Sequence, residues 1–265
     1  MNQGLDRIAV LERRIGSSLE RVWENVLDWE HLPWLHRRDF ASIDLIDAGA
    51  WGWRGMAEFT AQPGRPFRVE LIVEHESDRY VTRTLDKTSL VSEIWTGLSS
   101  IGSESTDIYV EFWAPSVPES LRDQLGAGYL DLYGRLWSED ESMMRERSDR
   151  LTEVPAENQA GAKRLELGSF AELSARLPVC VELGGARWRL VFLGDEIVVH
   201  DTRCPHALGP LSGEPNHPDR LECPWHGYQF DIKTGRSCDG HRLRLRTPPR
   251  LLRSARTDLV TLELV

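Results

Sequence analysis

Four cysteines in 265 residues are too few for a disulfide framework. No apolar run approaches the roughly 18 residues needed to span a bilayer. Positive charge is in deficit: 32 Lys and Arg face 42 Asp and Glu, a net charge of −10. That balance argues against nucleic acid or an anionic membrane as partner. The start, Met1-Asn2-Gln3-Gly4-Leu5-Asp6, lacks the basic-then-apolar pattern of an export signal, so a cytoplasmic location is expected. There is no internal repeat and no low-complexity tract. There is also no nicotinamide or flavin fingerprint, so any electrons the chain uses are expected from a separate partner. What remains, 40% hydrophobic and 28% charged residues, is ordinary for a globular protein and long enough for two modest domains.

The first 150 residues read as strand, helices, several strands and one long helix. Arg7 to Arg14 is apolar at Ile8 and Val10, as a strand would be. Ser17-Ser18 with Glu20 marks a helix start, with Val22, Trp23, Val26 and Leu27 as the apolar face. Period-two alternation follows in Phe67-Val69-Leu71-Val73 and in Ile108-Val110-Phe112. After Pro115 and Pro118, Glu119 to Leu151 reads as helix. Residues 152–163, TEVPAENQAGAK, have linker composition. Short strands such as Trp188 to Leu193 and Glu196 to His200 then alternate with glycine-rich turns, which predicts a small all-β domain. The expected division is 1–151, a linker at 152–163, and 164–265.

Two loops carry metal-binding chemistry. Cys204-Pro205-His206 is followed, sixteen residues on, by Cys223-Pro224-Trp225-His226-Gly227. Each loop offers one thiolate and one imidazole, the supply that a [2Fe–2S] centre with two cysteines on one iron and two histidines on the other needs. A Cys₂His₂ zinc site is the alternative, although zinc sites usually pair cysteine with cysteine and histidine with histidine. Proline after each cysteine fixes the loop, and Gly209 and Gly227 allow close backbone approach to inorganic sulfide. Cys180, in a segment that reads as strand, and Cys238, after a turn, read as small buried residues.

With Tyr228-Gln229-Phe230-Asp231 and Thr234-Gly235 following, residues 164–265 resemble a Rieske [2Fe–2S] domain, whose pattern runs CPH…CPWHG…FD…TG. The respiratory Rieske proteins add a disulfide between the ligand loops, where Gly209 and Trp225 stand here. They also place hydroxyl donors at the positions of Tyr228 and Phe230. Fewer hydrogen bonds to sulfur stabilise the reduced cluster less, so a potential near the lower end of the Rieske range, about −150 mV, is expected.

The first domain holds a second motif, Leu27-Asp28-Trp29-Glu30-His31-Leu32-Pro33-Trp34-Leu35-His36, containing Asp-x2-His-x4-His. Iron(II) that activates dioxygen is typically held by two histidines and a carboxylate. Histidines five apart diverge on an unbroken helix, so Pro33 must re-aim the chain, disfavouring helix at Leu32. Asp28 and His31 can share a face if the first helix persists that far. On the long helix Leu125, Tyr129, Leu132, Leu136 and Met143 form a stripe that Asp140 completes. A carboxylate there is costly unless paired or metal-bound. Glu139 and Glu141 are nearby alternatives, and a second stripe (Leu130, Tyr133, Trp137, Met144) competes for burial.

The motif LDxxHLPxLH resembles the iron site of the Rieske non-haem iron oxygenases, and Glu139-Asp140 resembles their acidic stretch on the last helix. The resemblance implies mononuclear Fe(II) on His31, His36 and Asp140, and a bridging role for Asp28 between a cluster histidine and an iron histidine. The domain also resembles helix-grip proteins of the START and polyketide-cyclase group, whose first helix often ends in a similar run without metal. The implied fold class is α+β: an N-terminal helix-grip domain, an antiparallel sheet wrapped on a long C-terminal helix, then an all-β Rieske domain. The family usually has the opposite domain order. The implied function is that of an oxygenase component taking electrons from a separate reductase or ferredoxin. It would use O2 to hydroxylate or oxidatively demethylate a small organic substrate, as a homotrimer. The alternative is a ligand-binding helix-grip domain fused to a Rieske electron carrier. The Arg242-Leu243-Arg244-Leu245-Arg246 alternation reads either as a docking surface for an acidic electron donor or as a half-buried strand with a solvated face. Trp51, Trp53 and Trp95 are candidates for lining an aromatic cavity, and His75 and His217 read as surface residues.

Overall fold

The computed structural model describes residues 4–153, 161–211, 217 and 219–264. The chain divides into two compact units, Met1–Glu146 and Arg147–Val265, so the division falls inside the long helix. Most of the segment expected as a linker, residues 154–160, lies outside the described residues. Among the described residues no helix is long and apolar enough to cross a membrane.

The first unit is built on one seven-stranded antiparallel sheet in the order β1-β7-β6-β5-β4-β3-β2. Its strands are β1 (Leu5–Ile15), β2 (Phe40–Gly49), β3 (Gly52–Phe59), β4 (Phe67–Glu74), β5 (Arg79–Asp86), β6 (Ser89–Gly102) and β7 (Ser105–Pro115). The period-two pattern selects the inner face. Ile108, Val110 and Phe112 are at most 2% exposed, whereas Tyr109 between them is 43% exposed. Between β1 and β2 run α1 (Leu19–Leu27) and the single turn α2 (Leu32–Leu35). Ser18 caps α1 by accepting the Arg21 N–H, and Val22, Asn25 and Val26 are buried, while Leu27 is exposed. The long helix α3 (Glu119–Thr152) lays Tyr129 and Tyr133 against Phe112, at ring distances of 5.3 and 4.9 Å. This is the helix-grip arrangement, and with the second unit it makes the chain α+β.

The buried face of α3 merges the two stripes seen in the sequence. Gly126, Trp137, Asp140, Met143 and Met144 are buried and Tyr129 and Tyr133 are half-buried, while Leu125 and Leu130 are exposed. A helix of this length drifts relative to any fixed spacing, so one stripe cannot face the sheet along the whole helix.

Among its described residues the second unit contains three small antiparallel sheets. One is β11 (Glu196–Asp201), β10 (Ala186–Leu193) and β9 (Val179–Leu183). Another pairs β12 (Arg220–Glu222) with β13 (Gln229–Asp231), and the third is β14 (Arg250–Arg253), β15 (Leu259–Glu263) and β8 (Arg164–Ser169). A short helix, α4 (Phe170–Arg176), begins in a capping box of Ser169 and Glu172. Leu173, Leu183, Leu190, Val260 and Leu262, each at most 1% exposed, form its core. The 242–246 segment is not a regular strand. Its leucines still turn inward and its arginines outward. Cys180 is half-buried and Cys238 exposed, which corrects the expectation of burial: Cys238 sits on a turn that no apolar layer covers.

Two neighbouring glycines separate packing from propensity. A Cβ on Gly126 would lie 2.7 Å from the Ile8 carbonyl oxygen of β1, whereas one on Gly128 meets nothing within 4 Å. Gly126→Ala is therefore expected to destabilise the protein by about 1–3 kcal/mol. Gly128→Ala is expected to stabilise it by about 0.5–1 kcal/mol. Denaturant melts of the two variants, which must shift in opposite directions, check this.

Candidate metal centres

The two loops of the second unit close in the same way. The Cys204 N–H donates to Gly209 O and Cys204 O accepts from the Leu208 N–H; the Cys223 N–H donates to Tyr228 O and Cys223 O accepts from the Gly227 N–H, all at 2.8–3.0 Å. The residue that ends each turn has positive φ, +64° at Leu208 and +68° at Gly227. Both cysteines are 1% exposed and His226 is 4% exposed, whereas His206 faces solvent. The two imidazoles meet edge to face at 4.6 Å. Arg150 ties the loops together, donating to Leu208 O and lying 5.9 Å over the Trp225 ring.

These residues fit a [2Fe–2S] cluster by three observations. The two thiols lie together: the Cys204 thiol donates to Cys223, so that one shared proton lowers the Cys223 pKa and, with burial, raises that of Cys204. The donor set is two sulfurs and two imidazoles, and the loops leave no room for more: a Cβ on Gly209 would stand 2.5 Å from Cys223 Sγ and 3.1 Å from the Trp225 ring. Phe230 is fully buried and has no hydroxyl to offer sulfur.

In the first unit, α2 brackets the two histidines, with His31 as its N-cap and His36 as its C-cap. Pro33 acts differently from the sequence expectation. It sits in the first turn of α2, where its missing N–H costs nothing, and Leu32 is helical. The first helix also does not persist to His31: it ends at Leu27, with Asp28 as C-cap. One turn of α2 sets the rings 5.1 Å apart at 76°.

Asp140 of α3 meets both histidines. His31, His36 and Asp140 are buried, and one donor atom from each lies within 4.8 Å of the others. His36 Nε2 is 3.1 Å and His31 Nε2 3.5 Å from Asp140 Oδ1. Such separations suit adjacent donors about 2.1 Å from a common ion. Each opposite ring nitrogen faces another carboxylate. His36 Nδ1 is 2.6 Å from Glu139 Oε2, and His31 Nδ1 is 3.7 Å from Asp28 Oδ2. The Nδ1 atom of buried His31 makes no hydrogen bond among the described residues and is sealed from water. Two imidazoles and one carboxylate, buried and converging on one point, are a donor set that fits a divalent metal.

Burial would raise the Asp140 pKa, but His36, the charge of His31 and the Asn25 amide outweigh it and hold the carboxyl below its ordinary value. Burial likewise opposes charging His36, yet Asp140 and Glu139 raise its pKa. Glu141 is elsewhere engaged, accepting from Arg13 at 2.6 Å and from the Gly16 N–H at 2.8 Å.

Asn25, whose Nδ2 donates to Asp140 Oδ1 at 3.1 Å, was not apparent from the sequence. The available signal was its place beside Val22 and Val26 on the apolar face of α1, where a polar side chain must find a partner. Tyr80 and Tyr133 line the same cavity of about 120 Å³, together with Trp53 and Trp137. Burial pushes both phenols far above their usual range, so they stay neutral. Trp51 and Trp95 do not line it; they lie under Arg54 and Arg79. His75 and His217 are exposed.

Gly209→Ala tests the second-unit loops. It is expected to abolish acid-labile sulfide and the visible cluster absorption while leaving the far-UV circular dichroism of the chain largely intact.

Residues 163–248 match the family model of the Rieske [2Fe-2S] domain. Among curated proteins none matches the chain. Several solved structures are similar at low identity. Norcoclaurine synthase from Thalictrum flavum, a point mutant in complex with a transition-state analogue, is 16% identical over 54% of this chain and 96% of its own, with a TM-score of 0.44. The Zhui aromatase/cyclase from Streptomyces sp. R1128 is 7% identical over 57% and 99%, with a TM-score of 0.45. A START superfamily protein from Mycobacterium smegmatis is 17% identical over 53% and 99%, with a TM-score of 0.41. With the family match, the twinned thiol–imidazole loops and the small antiparallel sheets in agreement, the second unit is a Rieske [2Fe–2S] domain, preceded in this chain by a unit of helix-grip architecture.

Proposed function

We propose that the chain is the oxygenase component of a Rieske non-haem iron system, with a mononuclear iron site at His31, His36 and Asp140. The observation that carries this reading is the convergence of those three buried groups on one point. Iron(II) held there would supply the activation of dioxygen toward a small organic substrate, with hydroxylation or oxidative demethylation as the outcome. Electrons would come from a separate reductase or ferredoxin and pass through the Rieske domain.

The chain's own residues have distinct tasks in this reading. Glu139 holds His36 through Nδ1, which leaves Nε2 facing the centre, and Asp28 stands at the corresponding nitrogen of His31. Asp28 Oδ1 accepts the Glu30 N–H, which fixes the carboxylate beside the histidine. Asn25 orients Asp140 by donating to Oδ1. Trp53, Tyr80, Tyr133 and Trp137 wall the cavity and exclude water. As neutral phenols, Tyr80 and Tyr133 add no negative charge beside Asp140.

A second reading, a ligand-binding helix-grip domain fused to a Rieske electron carrier, is favoured by cavity size. The space beside the triad, about 120 Å³, holds only a few waters at about 30 Å³ each. A separate apolar pocket of about 660 Å³ lies further along α3, lined by Phe59, Val91, Ala114, Leu125, Tyr129 and Leu132. Metal content separates the two readings.

Anaerobically purified protein is expected to hold about three irons and two sulfides per chain, falling to about two and two in His31→Ala/His36→Ala. Two irons in both would overturn the oxygenase reading. Glu139→Ala is expected to weaken iron(II) binding to the triad about ten- to hundredfold. Glu139→Gln should retain more of the affinity, and the cluster EPR spectrum should stay unchanged. Titration with iron(II), followed by EPR of the nitrosyl adduct, measures this.

A further inference from the structure

Charge is distributed unevenly along this acidic chain. Residues 1–146 sum to −11 and residues 147–265 to +1. Within the second unit, residues 233–253 carry seven Lys and Arg against one acid, Asp239, and all seven basic side chains are exposed. Three of them are committed to carboxylates: Lys233 to Glu196 at 2.5 Å, Arg246 to Asp201 at 2.6 Å and Arg253 to Asp258 at 2.7 Å. Arg236, Arg242 and Arg244 have no carboxylate partner among the described residues.

These arginines stand on the segment that packs beside the cluster loops. Arg236 and Arg244 face each other across an isolated β-bridge, and Arg242 follows His241. The exposed His241 ring stacks on Tyr228 at 4.0 Å and 19°, and Tyr228 stacks on the exposed ligand His206 at 4.5 Å and 28°. Three aromatic rings thus run from a cluster ligand to a surface ring next in sequence to the Arg242 guanidinium.

We propose that this face docks an acidic protein electron donor, an iron–sulfur carrier of the ferredoxin class, whose carboxylates pair with Arg236, Arg242 and Arg244. One electron leaves the reduced donor, which is oxidised, and reduces the Rieske centre. No bond forms or breaks, and the transfer is downhill for a plant-type ferredoxin. Guanidinium groups match carboxylates bidentately. A basic patch on an otherwise acidic chain steers an acidic protein while the remaining charge repels an extended polyanion. The inference rests on the Rieske assignment of the second unit and not on the mononuclear centre, so it holds under either reading of the first unit.

The test uses the full-length holoprotein and a plant-type [2Fe–2S] ferredoxin as probe. Two readouts are needed: the rate at which reduced ferredoxin reduces the cluster, and the Kd for oxidised ferredoxin. Both should weaken with salt, the rate about tenfold between about 0.01 and about 0.5 M ionic strength. In Arg242→Glu/Arg244→Glu the low-salt rate should fall about tenfold or more and its salt dependence flatten, while Arg242→Lys/Arg244→Lys keeps most of both. Reduction by a neutral photoreduced deazaflavin and the cluster EPR spectrum should be unchanged in every variant. An unchanged rate and Kd in the charge-reversed protein would overturn the proposal, as would an equal loss with the neutral reductant. A variant that binds ferredoxin normally but sediments at a different mass would also overturn it, assigning the face to a second copy of the chain.

Discussion

The burial of Asp140 sets the terms for the first unit. A carboxylate enclosed between a long helix and a sheet must be neutralised, hydrogen-bonded or placed on a cation. Here three nitrogens from two other elements converge on one of its oxygens: Asn25 from α1, and His31 and His36 from either end of α2. The elements that supply them are held by the hydrophobic core, in which Val22, Val26, Trp53, Phe112 and Trp137 meet. The core fixes where α1, α2 and α3 come together. The carboxylate decides which polar groups are tolerated there.

The second unit solves a different problem with a repeated device. Two short loops end the same turn with the same pair of backbone hydrogen bonds, and each brings a thiol and an imidazole to one side. Leu208 adopts a positive φ to complete this closure, a conformation that costs a non-glycine residue about 1 kcal/mol or more. The loop hydrogen bonds and the Arg150 contact with Leu208 O hold it there. The asymmetry between His226, buried, and His206, exposed, gives the site one face toward protein and one toward solvent. Electron exchange with a partner needs such a face.

Much of this was legible in the sequence because the signals were local. Period-two alternation in β4 and β7, the Ser18 cap and the proline break before α3 are written over spans of a few residues. The cluster motif is likewise two compact loops of fixed chemistry. The helix stripe was less legible. Two competing spacings on α3 proved to be parts of one face, since Asp140 and Trp137 are both buried while Leu125 and Leu130 are exposed. The sequence also misjudged the stretch between His31 and His36. Pro33 is as compatible with the first turn of a helix as with its interruption, and nothing local distinguishes the two.

Residue chemistry and element type follow from local sequence: which side chains can ligate metal, which strands alternate, where the long helix begins. Tertiary structure decided which groups meet. Asn25 and Asp140 are 115 residues apart, and so are joined only when helix and sheet pack. The separate surroundings of Glu139, Asp140 and Glu141 likewise depend on the rotation of α3 about its own axis, which turns Glu139 to His36 Nδ1, Asp140 to the Nε2 atoms of His31 and His36, and Glu141 to Arg13. Adjacent helical residues point about 100° apart, and only packing against the sheet fixes that angle.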